Sequence, residues 1–242
     1  MRKILVAAFV MISATHLQAQ TTTPPASTSA KPNSGGLYIK GGLNLSNISV
    51  TSDRRVDDAK TLTTFHIGLI GDFALGDVLS FQTGLLLTGK GAKAEIYATS
   101  STTDNYYKIK TNPLYVEIPA NIVFKVPFGN ESRLFFGAGP YAAIGIGGKT
   151  KGEQKFLGVT STYEKDIQFN DDDPTTSGQE DASVNKLRRF DYGANFLAGF
   201  EVGKTMIGVG YGLGLAKIGS SQSNNNDENK YRVWSISLGI QL

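Results

Sequence analysis

From Gly36 onward the apolar residues recur with period two, and this alternation limits the chain to extended strands with unlike faces. In "LYIKGGLNLS", Leu37, Ile39, Leu43 and Leu45 fall on one face, with Tyr38, Lys40, Asn44 and Ser46 on the other. In "FHIGLIGDFAL", Phe65, Ile67, Leu69, Phe73 and Leu75 oppose His66, Gly68 and Asp72. In "LSFQTGLLL", Leu79, Phe81, Leu85 and Leu87 oppose Ser80, Gln82 and Gly84. "LYVEIPANIVFKVPF" sets Leu114, Val116, Ile118, Ile122, Phe124, Val126 and Phe128 against Glu117, Asn121 and Lys125. "FDYGANFLAGFEV" and "WSISLGIQL" repeat the pattern, with Asp191, Asn195 and Glu201 on the polar side of the former. Helical spacing fits none of these segments as well.

Adding "RLFFGAGPYAAIGIG" and "IGVGYGLGLAKIG" gives eight predicted strands. Short connections lie at Gly76–Asp77, Gly129–Glu131 and Gly203–Thr205. The other four, at about residues 50–61, 90–109, 149–186 and 217–230, are long and polar. Short turns alternating with long loops predict an all-β, eight-stranded antiparallel up-and-down barrel. Pro119 and Pro140 fall inside the fourth and fifth strands, where each forfeits a ladder hydrogen bond, so bulges are expected there. Cross-strand partners share a face, so an odd turn such as "GNE" should join these two strands. Gly208, Gly210, Gly212 and Gly214 strip one face of the seventh strand. A dinucleotide loop needs its glycines between a strand and a helix, and no helix pattern follows. Tyr141, Lys40 or Glu201 are expected to lean over this strip.

Alternation alone does not say which face is outside. A soluble barrel would place the polar face in water, and a membrane barrel would place the apolar face in lipid. The N-terminus favours the second. "MRKILVAAFVMISATHLQAQ" has the build of a secretory signal peptide, with cleavage expected after Ala19. Residues 20–35, rich in Thr, Ser and Pro, read as a disordered linker, and residues 36–242 as the barrel. No later stretch has the ~18 consecutive apolar residues of a membrane helix, so a closed barrel is the remaining way across. Four long loops against three tight turns, and a last strand ending on Leu242, fit an outer-membrane barrel. Trp234, Tyr38 and Tyr192 are candidates for interfacial aromatic belts. The short turns are expected in the periplasm and the long loops outside.

"PLYVEIPANIVFKV" followed by "RLFFGAGPYAAIGIGG" resembles the central hairpin of the PorT-like, porin-family outer-membrane barrels of Bacteroidetes. "GLYIKGGLNLSNI", "FDYGANFLAGFEVGK", "GVGYGLGLAKI" and "WSISLGIQL" extend the resemblance over residues 36–242, apart from the long loops. It implies an eight-stranded outer-membrane barrel. One namesake is tied to protein export through the outer membrane. The family pattern defines no catalytic residues.

The chemistry on offer is sparse. Cysteine is absent, which excludes disulfides, thiolate metal sites and a lipid-anchor cysteine. The net charge of +3 falls to about +1 without the signal peptide, which argues against nucleic acid as a partner. Lys40, His66, Asp72, Glu117, Asn121, Lys125, Asp191, Asn195 and Glu201 share the presumed lumen face. An eight-stranded barrel is just wide enough to fill with side chains, so buried charges there must pair. The nine residues therefore read as a polar network that plugs the lumen or lines a narrow pore. His66, the only histidine after signal removal, has no serine paired with it by an evident motif. The acidic run Asp171–Asp181 fails the calcium-loop pattern, with Thr176 where glycine is required. No catalytic residue, metal or cofactor is expected. The expected partners are outer-membrane lipid and an extracellular ligand or envelope protein. A small porin-like channel and a lipid-modifying enzyme are the alternatives.

Overall fold

The computed structural model describes residues 35–49, 59–97, 105–128, 131–169, 186–218 and 229–242. The predicted signal peptide, nearly all of the linker and the acidic run at 171–181 lie outside these residues. Thirteen strands are described. They are β1 (Gly36–Ser49), β2 (Ala59–Lys60), β3 (Leu62–Ala74), β4 (Leu79–Gly89), β5 (Ala92–Tyr97), β6 (Tyr106–Pro127) and β7 (Ser132–Phe156). After these come β8 (Val159–Asp166), β9 (Gln168–Phe169), β10 (Lys186–Leu187), β11 (Phe190–Val202), β12 (Thr205–Gly214) and β13 (Lys230–Gln241).

Eight of these form a closed ring in the order β1-β3-β4-β6-β7-β11-β12-β13. The last strand pairs back onto the first, from Tyr38↔Gln241 to Ser49↔Lys230. All neighbours in the ring are antiparallel. Closure satisfies backbone groups at every ring strand without a free edge. The tight end of the ring carries short turns. At Gly203–Lys204, Gly203 takes φ +56°, a left-handed conformation open to glycine at little cost.

The apolar face is outside. Leu43, Ile67, Leu85, Phe124, Phe136, Phe200, Ile207 and Ile236 are all exposed, while Asn44, His66, Gln82, Lys125 and Glu201 are buried. A continuous apolar girdle of this extent is incompatible with a water-facing surface, where exposed patches rarely exceed a few hundred Å². It matches the lipid band of a membrane barrel. Trp234 and Tyr211 pack on the outside at the loop end, with ring centroids 4.8 Å apart and planes tilted by 47°. Tyr192 is exposed there too. Tyr38 is not a belt residue: it is 2% exposed and packs inside the barrel with Val123, Phe135 and Met206. Its even position in β1 shares the inward face with Asn44, and that parity overrides the preference of tyrosine for interfaces.

The expected bulges at Pro119 and Pro140 are absent. β6 and β7 hold one register from Tyr115↔Gly145 to Pro127↔Arg133; their shift falls between Leu114 and Tyr115, with Ile146 as the extra residue. In an antiparallel ladder a residue aims both its N–H and its C=O at one neighbour. The β4–β6 pairing skips from Thr83↔Ala120 to Leu86↔Glu117, so Pro119 meets its gap on the β4 side. The β6–β7 pairing skips from Pro119↔Tyr141 to Ile122↔Ala138, so the gap at Pro140 is on the β6 side. Pro140 keeps its register with Ala194 in β11. Each proline interrupts the ladder on one side for two register pairs, and the register carries through.

The long connections at 90–109 and 149–186 are not all loop. β6 and β7 run well beyond the apolar band, β5 continues the line of β4, and β8 folds back on β7. The result is a polar sheet, β2-β5-β6-β7-β8, rising from one side of the barrel. Its strands alternate in another sense. Lys108, Lys110, Lys151 and Glu153 take one face, and Tyr107, Ile109, Thr150 and Gly152 the other, so the apolar-outside pattern of the barrel does not continue into it.

Candidate functional site

The inward side chains form layers. At the short-turn end, the ammonium of Lys125 lies between Asp72, which it contacts directly, and Glu201, at 2.7 Å. Arg133 Nη1 donates to the other oxygen of Glu201 at 2.9 Å. Lys125 is fully buried. Above this layer sits an apolar one of Tyr38, Val123, Phe135 and Met206, with Leu197 against it.

The middle of the lumen is polar. It holds a cavity of about 80 Å³ bordered by Lys40, His66, Gln82, Asn121, Asn195 and Ser237, among others. Gln82 Nε2 and Asn121 Oδ1 are buried without a protein partner, and a cavity of this size has room for water to serve them. Lys40 also borders a second cavity of about 30 Å³, together with Phe135 and Gly208. Asn195 Nδ2 donates to Glu117 at 3.1 Å.

Next comes a second ionic layer. Lys90 Nζ bonds Glu117 at 2.9 Å and Asp191 at 2.7 Å, and lies 4.2 Å from the ring centroid of Tyr141. The Tyr141 hydroxyl donates to Asp191 at 3.2 Å. At the loop end, Tyr115, Tyr231, Ile167, Leu187 and Ile218 close over this layer as an apolar cluster with Phe169. The short parallel pair β9–β10 brings Phe169 and Leu187 there.

All nine residues singled out in the sequence thus border the interior, in three groups: Asp72, Lys125 and Glu201; Lys40, His66, Asn121 and Asn195; Glu117 and Asp191. Sequence reasoning missed Lys90, which it placed in a loop. The even-numbered inward series Gln82, Gly84, Leu86, Thr88 runs straight on to Lys90, and that parity was the available signal.

It also missed a partner for His66. Ser237 Oγ lies 2.9 Å from His66 Nε2, and Asn44 Oδ1 lies 2.8 Å from His66 Nδ1. The Asn44 amide nitrogen donates to Phe65 O, Thr88 Oγ1 and Gly89 O, which fixes its orientation. Nδ1 therefore carries the proton, and Nε2 accepts from Ser237. This is the connectivity of a serine–histidine–asparagine set. No sequence motif announces it, because the three residues come from β1, β3 and β13 and meet only through barrel closure. Among the described residues no group of three or more acidic, histidine or cysteine side chains could hold a metal ion.

Of the three residues expected over the glycine strip, Lys40 borders the space beside Gly208 and Gly210, and the nearest cover comes from other residues. A Cβ at Gly208 would sit 2.9 Å from Phe135 Cζ, and one at Gly210 would sit 2.6 Å from Ser235 Oγ. Asn195 lies against Gly212 and Tyr231 against Gly214. Tyr141 covers Gly193 in β11 instead, and Glu201 is engaged with Lys125 and Arg133.

The polar extension has its own charges. Glu164 in β8 contacts Lys149 and lies 2.7 Å from Lys151. Hydrogen bonds from Lys149 first and then Lys151 pull its carboxyl down to about 2, and the same contact raises Lys149. A depressed carboxylate contributes stability that is present above its ordinary value near 4.5 and fades as pH falls toward 2. The midpoint of Glu164 in a carbon-13 NMR titration is therefore expected well below 4.5. It should move back toward that value in about 0.5 M salt, because the pair is exposed and screened.

The profile of the Outer membrane protein beta-barrel domain family matches residues 18–219. The chain belongs to this family. It is an outer-membrane β-barrel protein, and the outward apolar band fits a lipid surround. No curated protein matches the sequence. Among solved structures, this barrel is similar to OprG of Pseudomonas aeruginosa, at 12% identity over 89% of this chain and 98% of that one, with a TM-score of 0.42. It is also similar to Ail of Yersinia pestis in complex with the heparin analogue sucrose octasulfate, at 13% identity over 86% and 99% of the two chains, with a TM-score of 0.37. Neisserial surface protein A aligns at 11% identity over 86% and 97%, with a TM-score of 0.39.

Proposed function

We propose that this protein is a non-enzymatic surface barrel of the outer membrane, a rigid post whose loop-side sheet engages an extracellular ligand or an envelope protein. The PorT-like resemblance makes support of secretion the specific form of that role. The proposal takes the short turns as periplasmic and the polar sheet as extracellular. It takes the mature chain as beginning after Ala19, with residues 20–35 as a tether.

The observation that carries it is the layered interior. Two ionic layers and two apolar ones cross the lumen, and the cavity between them is about 80 Å³. An interior filled in this way supports a plug over a conduit. Purified mature protein in a planar bilayer should show no steady single-channel steps; reproducible steps of uniform size would replace this reading with the channel.

The serine–histidine–asparagine set is the observation that favours an enzyme. Two features of the fold weigh against it. Ser237 faces the interior, so an acyl chain in the bilayer has the barrel wall between it and the hydroxyl. The backbone N–H groups of a barrel wall are spent on the ladder, which leaves no main-chain oxyanion hole.

A further inference from the structure

The extracellular sheet carries a charge arrangement that its own fold does not neutralise. Register places Lys60 opposite Lys93, Lys93 opposite Lys110, and Lys110 opposite Lys151, on the successive strands β2, β5, β6 and β7. Neighbouring strands lie ~4.8 Å apart, and like charges directly opposite destabilise a sheet. The ends of the row have counter-charges: Lys60 pairs with Glu95 at 2.5 Å and Lys151 with Glu164 at 2.7 Å. The middle has none, since among the described residues no carboxylate pairs with Lys93 or Lys110.

The row has a definite direction and height. Lys110 shares its side of β6 with Leu114, Val116 and Ile118, the side that turns to lipid lower down. It lies four residues beyond Leu114, ~13 Å along the strand. Lys93, Lys110 and Lys151 therefore face outward from the barrel wall, beyond the last apolar side chain on that side of β6. Lys93, Lys108, Lys110 and Lys151 line a groove of about 470 Å³ there together with Glu95, Glu153 and Glu164. These three carboxylates pair with Lys60, with Lys108, and with Lys149 and Lys151, respectively, which leaves Lys93 and Lys110 as the groove's uncompensated charges.

We propose that this groove binds the phosphate groups of the glycolipid that forms the outer leaflet around the barrel. The complementary charge is that of Lys93 and Lys110, which no carboxylate of the groove engages, lysine being a point-charge partner for phosphate. Position selects the source: a soluble polyanion reaches a site from above, whereas this row faces the leaflet at the level of its headgroups. Binding relieves the repulsion between Lys93 and Lys110 and fixes the free sheet against the membrane. The inference rests on the orientation proposed above, with the polar sheet outside.

The test is titration of phosphorylated outer-leaflet glycolipid into nanodiscs holding the full mature barrel. The variant K93Q/K110Q/K151Q should bind about 100-fold more weakly, as three surface lysines are worth against an anionic membrane. K93R/K110R/K151R, which keeps the charges, should bind like the parent. Enzymatically dephosphorylated glycolipid should bind the parent as weakly as intact glycolipid binds the glutamine variant. Heat-modifiable migration in detergent gels checks that each variant is folded; if the triple glutamine variant is not, K110Q alone should still lose about fivefold. Equal binding by the folded glutamine variant overturns the proposal. So does a soluble sulfated polysaccharide binding the row more tightly than the glycolipid does. Protease cleavage of β8 on whole cells reads the orientation separately: a protected sheet would sink the orientation, whatever the nanodisc titration gives.

Discussion

Lys125→Met destabilises the barrel by about 3–5 kcal/mol, measured as urea unfolding in detergent micelles or bilayers. The size follows from what is left behind. Lys125 is fully buried and serves two carboxylates, Asp72 and Glu201. Glu201 retains Arg133 at 2.9 Å when the ammonium is gone. Asp72 retains nothing comparable, and its Oδ1 already lacks a partner. The cost is therefore that of one orphaned carboxylate in a closed interior, and the second-site pattern follows. Asp72→Asn in the Lys125→Met background should recover most of the loss. Glu201→Gln in the same background should recover little, because it removes the carboxylate that Arg133 still compensates. A Lys125→Met barrel with the parent's unfolding midpoint would mean that water reaches this layer and solvates Asp72. That would also weaken the plug reading, so this stability measurement and the conductance measurement test the same interior from two directions.

The ring was legible in the sequence wherever the two faces of a strand meet unlike surroundings. Leu114, Ile118 and Phe124 against Glu117, Asn121 and Lys125 is such a contrast, and β6 lies where it predicts. The contrast inverts at Lys108 and Lys110, which take the side that Leu114 and Ile118 hold lower down while Tyr107 and Ile109 take the other, so a search for apolar residues in one phase reads the same strand as loop. Which face is outside was not legible, because alternation is symmetric and only closure of the ring breaks the tie. Contacts across the lumen were legible as a set but not as pairs. Lys90 meets Glu117 and Asp191 through β6 and β11, and no spacing in a linear sequence encodes that. Ser237 reaches His66 because β13 lies beside β1, itself beside β3, which depends on where the ring closes. The prolines failed for a different reason. A bulge is one answer to a missing N–H, but a skipped rung on the neighbouring strand is another, and the choice depends on register that the sequence does not display.

Gly199→Ala should be costly and Gly210→Ala nearly silent, although both glycines face the lumen from adjacent strands. A Cβ at Gly199 would lie 2.2 Å from Ile207 O and 2.5 Å from Phe135 Cζ. The first obstacle is the backbone of β12, which is held in the ladder by pairing with both β11 and β13. The second is a ring packed in the apolar layer with Tyr38, Val123 and Met206. Neither can give way without strain on its own partners, so about 1–3 kcal/mol is expected, with a drop in the yield of heat-modifiable protein on refolding. At Gly210 the nearest atom is Ser235 Oγ at 2.6 Å, the free end of a side chain that can rotate, and the next is 3.5 Å away. A cavity borders the residue on its lumen side. The expected cost is below about 0.5 kcal/mol. Gly210→Leu has a different outcome, since its larger side chain must enter the water-sized space beside Lys40 and Ser237. If it fills that space, stability is kept and the cavity is spare volume. If it is as damaging as Gly199→Ala, the polar groups around the cavity, Gln82 Nε2 and Asn121 Oδ1 among them, depend on the water it displaces. The glycine strip then serves two purposes along one strand: close passage of Phe135 at its short-turn end, and room for solvent at its middle.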